Sequence, residues 1–158
     1  MTGVFEVSSV EETWALARKF ANTLSAGDVV CLEGDLGAGK TTFTQGLAAA
    51  LGAKGRVASP TFCIVREHPI VCERNNPDAP RLLVHIDLYR LHGEEDVEAL
   101  GWDDYLAKGA VMVVEWPVRA GSLIPKNAKR VVFSYLEDND GNEEKRKITI
   151  DETRANNV

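Results

Sequence analysis

The sequence predicts an α/β fold with three layers, in which a mainly parallel sheet is extended by an antiparallel C-terminal hairpin. Three near-continuous apolar runs are typical of parallel strands covered by helices on both faces: residues 28–33, 82–87 and 110–115. Two segments near the C-terminus, 130–136 and 147–150, instead alternate between apolar and polar residues. Asp140-Gly141 lies between them and is a strong hairpin signal.

Local signals place the other elements. Ser9 and Glu12 have capping-box spacing and open a helix that apolar residues continue to about Leu24. Proline and asparagine residues predict that the segment 68–80 is an exposed loop or a frayed hairpin end. The remaining predicted elements are an opening strand, a second helix, an extended run and two short helices, at residues 4–7, 42–51, 59–65, 94–100 and 102–107.

Residues 34–41 read Gly-Asp-Leu-Gly-Ala-Gly-Lys-Thr, the G-x-x-x-x-G-K-T pattern of a phosphate-binding loop. They follow a predicted strand and precede a predicted helix, which is the setting this loop requires. Its glycines turn backbone N–H groups toward phosphates, Lys40 reaches the β- and γ-phosphates, and the Thr41 hydroxyl can bind Mg²⁺. Chance produces the pattern in on the order of one chain in 200. We therefore expect a P-loop NTPase-like domain that binds a nucleoside triphosphate.

Two apolar runs end in a carboxylate, Asp87 in one case and Glu115 in the other. Because ligands of open α/β sheets bind at the carboxyl ends of the strands, both are candidates for the acidic residue on the Mg²⁺ side. The alternative is a capping or solvent-facing acid at a strand end. Thr61, in Ser59-Pro60-Thr61, is placed like a nucleotide-dependent switch threonine, although the pattern alone favours an ordinary proline turn with a threonine in a strand. Trp116 is expected in the core.

Composition and charge narrow the class of protein. A chain of 158 residues has room for one domain with a proper core, and we expect residues 1–152 to form it and 153–158 to be a frayed tail. No apolar run approaches about 18 residues and no signal-peptide pattern is visible, so a cytoplasmic protein without a membrane partner is expected. The three cysteines form no C-x-x-C pair, which is typical of reduced thiols.

The net charge of −6 argues against a protein that captures nucleic acid by its own field. A local basic patch is possible near the C-terminus, although solvated strand ends are favoured for its members: Lys126, Lys129, Arg130, Lys145, Arg146 and Lys147. The three histidines fit no zinc-ligand spacing, and the segment 138–142 fails the calcium-loop pattern.

Four motifs in order resemble the TsaE (YjeE) family, the bacterial ATPases needed for threonylcarbamoyladenosine at position 37 of tRNA. They are the P-loop segment 34–43, Ser-Pro-Thr-Phe at 59–62, His-Ile-Asp-Leu-Tyr-Arg-Leu at 85–91 and Glu-Trp-Pro at 115–117. Glu11-Glu12-Thr13 also resembles the family's N-terminal nucleotide-contact region. Four ordered motifs are far more specific than the P-loop alone.

The resemblance implies that the chain binds ATP and Mg²⁺, hydrolyses ATP slowly alone, and works with the TsaD and TsaB proteins, meeting tRNA indirectly through that complex. Lys40, Thr61, Asp87 and Glu115 would be catalytic, and Thr41 and Glu115 would hold the metal. The implied nucleotide contacts are Thr13, Gly37, Ala38, Gly39, Lys40, Thr41 and Thr42. Cys63, Ile86 and the length of segment 68–80 depart from the family pattern.

Other classes of nucleotide-binding protein remain alternatives. A small-molecule kinase of the P-loop class needs a second-substrate pocket and usually an Arg-bearing lid, and no Arg-rich helical insertion is visible. A GTPase is disfavoured, because no Asn/Thr-Lys-x-Asp guanine-reading motif occurs. A non-catalytic nucleotide sensor would be separated from an ATPase by measuring turnover.

Overall fold

A seven-stranded sheet forms the centre of the computed structural model, which describes residues 1–35, 39–57, 65–71, 76–136 and 145–152. The strands are β1 (Gly3–Val7), β2 (Val29–Gly34), β3 (Val65–Pro69), β4 (Leu82–Asp87), β5 (Ala110–Glu115), β6 (Lys129–Tyr135) and β7 (Arg146–Asp151). Their order across the sheet is β1-β7-β6-β2-β5-β4-β3.

The four central strands, β6, β2, β5 and β4, are mutually parallel. The antiparallel pairs lie toward the edges, where β3 pairs with β4, β7 with β6 and β1 with β7. Since β1 returns to the direction of β6, five of the seven strands run the same way. The predictions of a mainly parallel sheet and of an antiparallel C-terminal strand pair are confirmed; the Asp140-Gly141 turn lies outside the described residues.

Helices cover both faces of the sheet. Helices α1 (Val10–Ala21) and α2 (Lys40–Leu51) share one apolar core with the sheet, and α3 (Glu94–Glu98), α4 (Trp102–Ala107) and the 3₁₀ segment Pro117–Leu123 share the other. This arrangement confirms the three-layer prediction. No helix in the described part of the chain is long and apolar enough to cross a membrane.

Helix α1 starts as its sequence predicts. The Ser9 side chain accepts a hydrogen bond from the Glu12 backbone N–H at 3.1 Å, and Glu12 accepts one from the Ser8 N–H at 2.7 Å. The regular helix ends at Ala21, earlier than the predicted end near Leu24, although Leu24 is still buried in the same core.

Helix α2 is anchored to the sheet by aromatic packing. Phe43 is fully buried, and its ring centroid lies 5.7 Å from that of Phe20 on α1 and 5.4 Å from that of Phe133 on β6. Burying a side chain of this size stabilises a fold by about 1.5–3 kcal/mol. The contacts therefore fix the start of α2 relative to β6.

The predicted loop or frayed hairpin end at 68–80 is wrong at its start. His68 and Pro69 belong to β3, where their Cα atoms are paired with Leu83 and Leu82, and the His68 side chain is buried. Proline is tolerated there because β3 is an edge strand. Ile70, the residue after β3, forms an isolated β-bridge with Ala53, which follows α2.

A polar cluster joins the two ends of the described chain. Glu152 accepts a hydrogen bond from the Met1 ammonium and one from the Thr23 hydroxyl at 2.7 Å, and Lys129 Nζ lies 3.3 Å from the Glu152 carboxylate. Burial alone would raise the pKa of Glu152, but these hydrogen bonds and the Lys129 charge outweigh it and lower the pKa. Lys129 is also 3.5 Å from Asp28.

The cysteine prediction can be compared with the structure only at Cys31. Its thiol is free and fully buried in β2, and burial raises its pKa to about 11. The side chain is therefore a protonated, unreactive thiol, and it packs in the core as the sequence predicts. Cys63 and Cys72 lie outside the described residues.

Candidate functional site

The candidate site lies at the carboxyl ends of β2, β5 and β4. Glu115, the last residue of β5, is paired through its Cα with Leu32 of β2 on one side and with Asp87 of β4 on the other. The chain leaves β2 toward the α1/α2 layer and leaves β5 toward the opposite layer. This divergence opens the kind of crevice in which α/β sheets bind ligands.

The loop after β2 begins at Gly34, where only glycine fits. Its φ is 149°, and a Cβ atom there would lie 2.7 Å from the Phe133 carbonyl oxygen. Residues 36–38 lie outside the described residues, so the predicted contacts from Gly37 and Ala38 cannot be compared with the structure. Gly39 is the N-cap of α2.

The first turn of α2 is suited to bind an anion. Its first hydrogen bond is donated by the Phe43 N–H to the Gly39 carbonyl at 2.9 Å, so the N–H groups of residues 40–42 precede the helical ladder. No acidic side chain lies in this turn. The positive end of the helix dipole is therefore not offset by a local carboxylate.

Lys40, Glu115 and His85 form a polar cluster behind this turn. Lys40 Nζ donates to the Gly34 carbonyl at 2.8 Å and lies 3.7 Å from Glu115 Oε1. The other Glu115 oxygen, Oε2, is 2.8 Å from His85 Nε2. Both Lys40 and Glu115 are largely buried, with 11% and 7% of their side chains exposed. At this separation the attraction is about 4 kcal/mol before the cost of desolvation.

The other predicted site residues have different surroundings. Thr41 and Thr42 lie in the first turn of α2, half-buried, and their hydroxyls make no hydrogen bond to the residues that the structure describes. Asp87 accepts a hydrogen bond from the Tyr89 N–H at 3.0 Å, which holds the turn after β4. Thr13 is buried on α1 and donates to the Ser9 carbonyl at 3.2 Å. Thr61 lies outside the described residues.

The structure thus brings Glu115, rather than Asp87, to the P-loop lysine. Asp87 lies on the next strand, on the same face of the sheet, because its Cα is paired with that of Glu115. Thr13 directly precedes Trp14, and Trp14 packs against α2 at Gly46. The role of Thr13 as a nucleotide contact stays a prediction.

A cavity larger than the one beside the site lies elsewhere in the described part of the chain. It has a volume of about 680 Å³ and is lined by the C-terminal ends of α1 and α2 and by Ile70, Val71, Asn76, Asp78, Ala79 and Pro80. None of the predicted site residues lines it. A smaller cavity of about 160 Å³ adjoins the site and is lined by Leu32, Glu33, Gly34, Lys40, Trp116, Pro117 and Val118. The site is therefore identified by its chemistry and not by cavity size.

The family model described as threonylcarbamoyl adenosine biosynthesis protein TsaE matches residues 7–148 of this chain. The chain belongs to the TsaE family. The resemblance predicted from the four ordered motifs is confirmed.

Named relatives extend this result. A TsaE protein of Bacillus subtilis is 41% identical over 130 residues, which cover 82% of this chain and 76% of the relative. A TsaE protein of Streptomyces coelicolor is 50% identical over 102 residues, 64% of each chain. Both are named tRNA threonylcarbamoyladenosine biosynthesis proteins. The crystal structure of YdiB from B. subtilis matches with a TM-score of 0.70 and 33% identity, covering 95% of this chain and 84% of that one.

Sequence reasoning missed two features of this TsaE family member. The sequence pattern identifies His85 only as part of a motif and as an unsuitable zinc ligand, because its hydrogen bond to Glu115 depends on the adjacency of β4 and β5. The prediction that Trp116 lies in the core is wrong, because 43% of this residue is exposed. Its ring centroid lies 4.9 Å from that of Tyr89.

The backbone at Trp116 is also unusual. Its φ is 58°, the one positive value at a non-glycine position among the described residues. Such a conformation costs on the order of 1–3 kcal/mol and is concentrated at functional sites. The proline that follows, Pro117, starts the 3₁₀ segment and makes the chain turn directly after Glu115. No local sequence signal indicated this strain.

Proposed function

We propose that this chain binds ATP with Mg²⁺ and hydrolyses it, slowly when alone, to support formation of threonylcarbamoyladenosine at position 37 of tRNA in the cytoplasm. The observation that carries the proposal is the 3.7 Å separation between Lys40 of the P-loop and the buried carboxylate of Glu115. Membership of the TsaE family supplies the tRNA-modification context.

The phosphate side of the proposal is supported by three groups of donors. The N–H groups of residues 40–42 precede the first hydrogen bond of α2, the helix dipole adds positive charge, and Lys40 brings a full charge to the same place. Lys40 would exchange its bond to the Gly34 carbonyl for phosphate oxygens. These donors would hold the β- and γ-phosphates and match the charge that develops on transfer.

The residues present also fit Mg²⁺. The ion prefers oxygen ligands, commonly a hydroxyl, one carboxylate, phosphate oxygens and water. Thr41 offers a hydroxyl that has no partner among the described residues, and Glu115 offers a carboxylate held by His85. Thr41 and Glu115 would hold the ion, which would neutralise phosphate charge during transfer. Glu115 would also orient the water molecule that attacks.

We expect slow hydrolysis by the chain alone because few positively charged side chains lie at the site. Among the described residues, Lys40 and His85 are the basic side chains that contact Glu115, and no arginine forms an ion pair or a hydrogen bond with this cluster. Transition-state charge would then be matched only in part, a deficit that a partner-supplied arginine repairs by about 10³–10⁵-fold in P-loop enzymes. We propose the TsaD–TsaB complex as the partner.

We further propose that tRNA is reached through that complex. The net charge of −6 opposes long-range attraction to a phosphate backbone. The C-terminal basic residues do little to offset it, because Lys129 is paired with Asp28 and Glu152, and Arg130 lies 4.0 Å from Glu33. Direct tRNA binding is therefore expected to be weak.

The test is ATP turnover by the chain alone, with TsaD–TsaB, and with that complex plus tRNA, beside a filter-binding titration with tRNA at about 150 mM salt. Lys40→Ala is the inactive control. Slow turnover that rises with the partners supports the proposal. Sub-micromolar tRNA binding or fast turnover by the chain alone would contradict it, and phosphoryl transfer to a small acceptor would favour the kinase alternative.

A further inference from the structure

The imidazole of His85 is fully buried in the middle of the sheet, beside the catalytic carboxylate. Its Cα is paired with Val113 of β5, and residues of β4 alternate between faces, so His85 shares the α2 face with Leu83 and Asp87. From this position its Nε2 lies 2.8 Å from Glu115 Oε2. This hydrogen bond joins β4 to the last residue of β5.

The surroundings of the two ring nitrogens of His85 determine which of them carries the hydrogen. The other oxygen of Glu115 faces the Lys40 ammonium at 3.7 Å, as expected of an ionised carboxylate, which only accepts hydrogen bonds. His85 Nε2 is therefore the donor. Nδ1 is buried without a partner among the described residues, and an unpaired lone pair is tolerated there better than an unpaired N–H.

We infer that His85 is a positioning residue for Glu115: its Nε2–H holds Oε2, so that Oε1 stays turned toward Lys40 and the phosphate side. The inference rests on the proposed ATPase function. A glutamate at a strand end has several side-chain torsions to lose, and the hydrogen bond from a rigid strand removes that freedom before any ligand arrives. Hydrogen-bond partners of this kind typically contribute 10- to 100-fold in metal affinity or activity.

A purely structural role does not account for His85. The neighbouring positions Leu83 and Val113 are apolar, and the buried Nδ1 has no hydrogen bond in the described structure. An aliphatic residue at this position would fill the core without burying an unpaired polar atom. The histidine is explained instead by what its other nitrogen holds.

His68 supplies a matched control. It is also a buried histidine on the same face of the sheet, on the adjacent strand β3, and its Nε2 is likewise buried without a partner among the described residues. Its Nδ1 lies 3.0 Å from the Lys54 carbonyl oxygen and not near Glu115. A histidine lost at 68 therefore removes similar volume and polarity without touching the carboxylate.

The experiment compares the full-length wild type with His85→Leu, His85→Gln and His68→Leu, using ATP and Mg²⁺ as ligands. Single-turnover rates are measured over a range of Mg²⁺ concentrations, and ATP affinity and melting temperature are measured on the same samples. We expect His85→Leu to reduce turnover, or to raise the Mg²⁺ requirement, by about 10- to 100-fold with little change in ATP affinity. His85→Gln keeps an N–H donor and should recover much of the loss.

The other outcomes separate the two proposals. If the wild type hydrolyses ATP and His85→Leu matches His68→Leu in turnover and Mg²⁺ requirement, the positioning role is wrong and the proposed function stands. If the wild type neither binds nor hydrolyses ATP, the proposed function fails and the role fails with it. NMR of the ring nitrogens in the ligand-free wild type is a check that does not depend on the folding of any variant. A hydrogen on Nδ1 of His85 instead of Nε2 would overturn the inference.

Discussion

Replacing Gly46 by alanine tests how closely α1 and α2 must approach to place the P-loop helix. A Cβ atom at Gly46 would lie 2.9 Å from Trp14 Cδ1, 3.0 Å from Trp14 Cα and 3.1 Å from Ala17 Cβ. The Trp14 ring can rotate away because 40% of it is exposed. Trp14 Cα and Ala17 Cβ can move away only if helix α1 moves as a whole.

Two effects of opposite sign set the magnitude. Alanine is favoured over glycine inside a helix by about 1 kcal/mol. Overpacking a close contact costs about 1–3 kcal/mol. Because two of the three close contacts at Gly46 involve atoms that cannot rotate away, we expect the second effect to win, with a net loss of about 1 kcal/mol. For a chain of this size, that corresponds to a fall of about 2–4 °C in melting temperature.

The assay is thermal and urea unfolding of the wild type, Gly46→Ala and Ala49→Gly. Ala49 is exposed on the same helix, so its replacement measures the cost of glycine at a position outside the core. ATP affinity should also fall in Gly46→Ala, because α2 carries Lys40 in its first turn. A melting temperature above that of the wild type would refute the close-approach argument.

Three further predictions concern single side chains. Lys40→Ala should lower ATP turnover by about 10²-fold or more in a folded protein, and unchanged turnover would refute the P-loop assignment. Glu115→Ala should lose Mg²⁺-dependent turnover more severely than ATP affinity, whereas Asp87→Ala should act more mildly, through the turn held by its side chain; a silent Glu115 and an essential Asp87 in the same assay would reverse the assignment. Because the pKa of Glu152 is lowered, its carboxylate stabilises the fold above the ordinary pKa of 4.5, and this stabilisation is lost as the pH falls through the folded-state pKa. In urea titrations, the loss of unfolding free energy in Glu152→Gln should therefore become smaller below pH 4.5. A loss that stayed constant with pH would contradict this explanation.

Much of the fold could be predicted because its signals are local. The strands at 82–87 and 110–115 have the predicted bounds, since a strand buried on both faces is an uninterrupted apolar run whatever its neighbours are. The start of α1 was equally readable, because Ser9 satisfies a backbone N–H of its own helix.

Features that depend on distant residues could not be read in this way. His68 lies in a strand because the edge of β4 accepts it as a partner, and the local prolines indicated a loop instead. The exposure of Trp116 depends on a left-handed backbone conformation that no neighbouring residue signals. The partner of His85 depends on which strand lies beside β4.

The choice between the two strand-end carboxylates is the clearest case of information held in strand order. Asp87 and Glu115 are equivalent by local pattern, and Asp87 comes first along the chain. In the sheet, β5 lies directly beside β2 and β4 lies one strand further out. Neighbouring strands are about 4.8 Å apart, so the backbone of Asp87 is roughly 10 Å from that of β2 and the backbone of Glu115 is half that distance away. Lys40 starts the helix that follows β2, and its side chain therefore meets Glu115 first. This adjacency is the reason that we propose the metal-side role for Glu115, whereas the Asp87 carboxylate holds the turn at Tyr89.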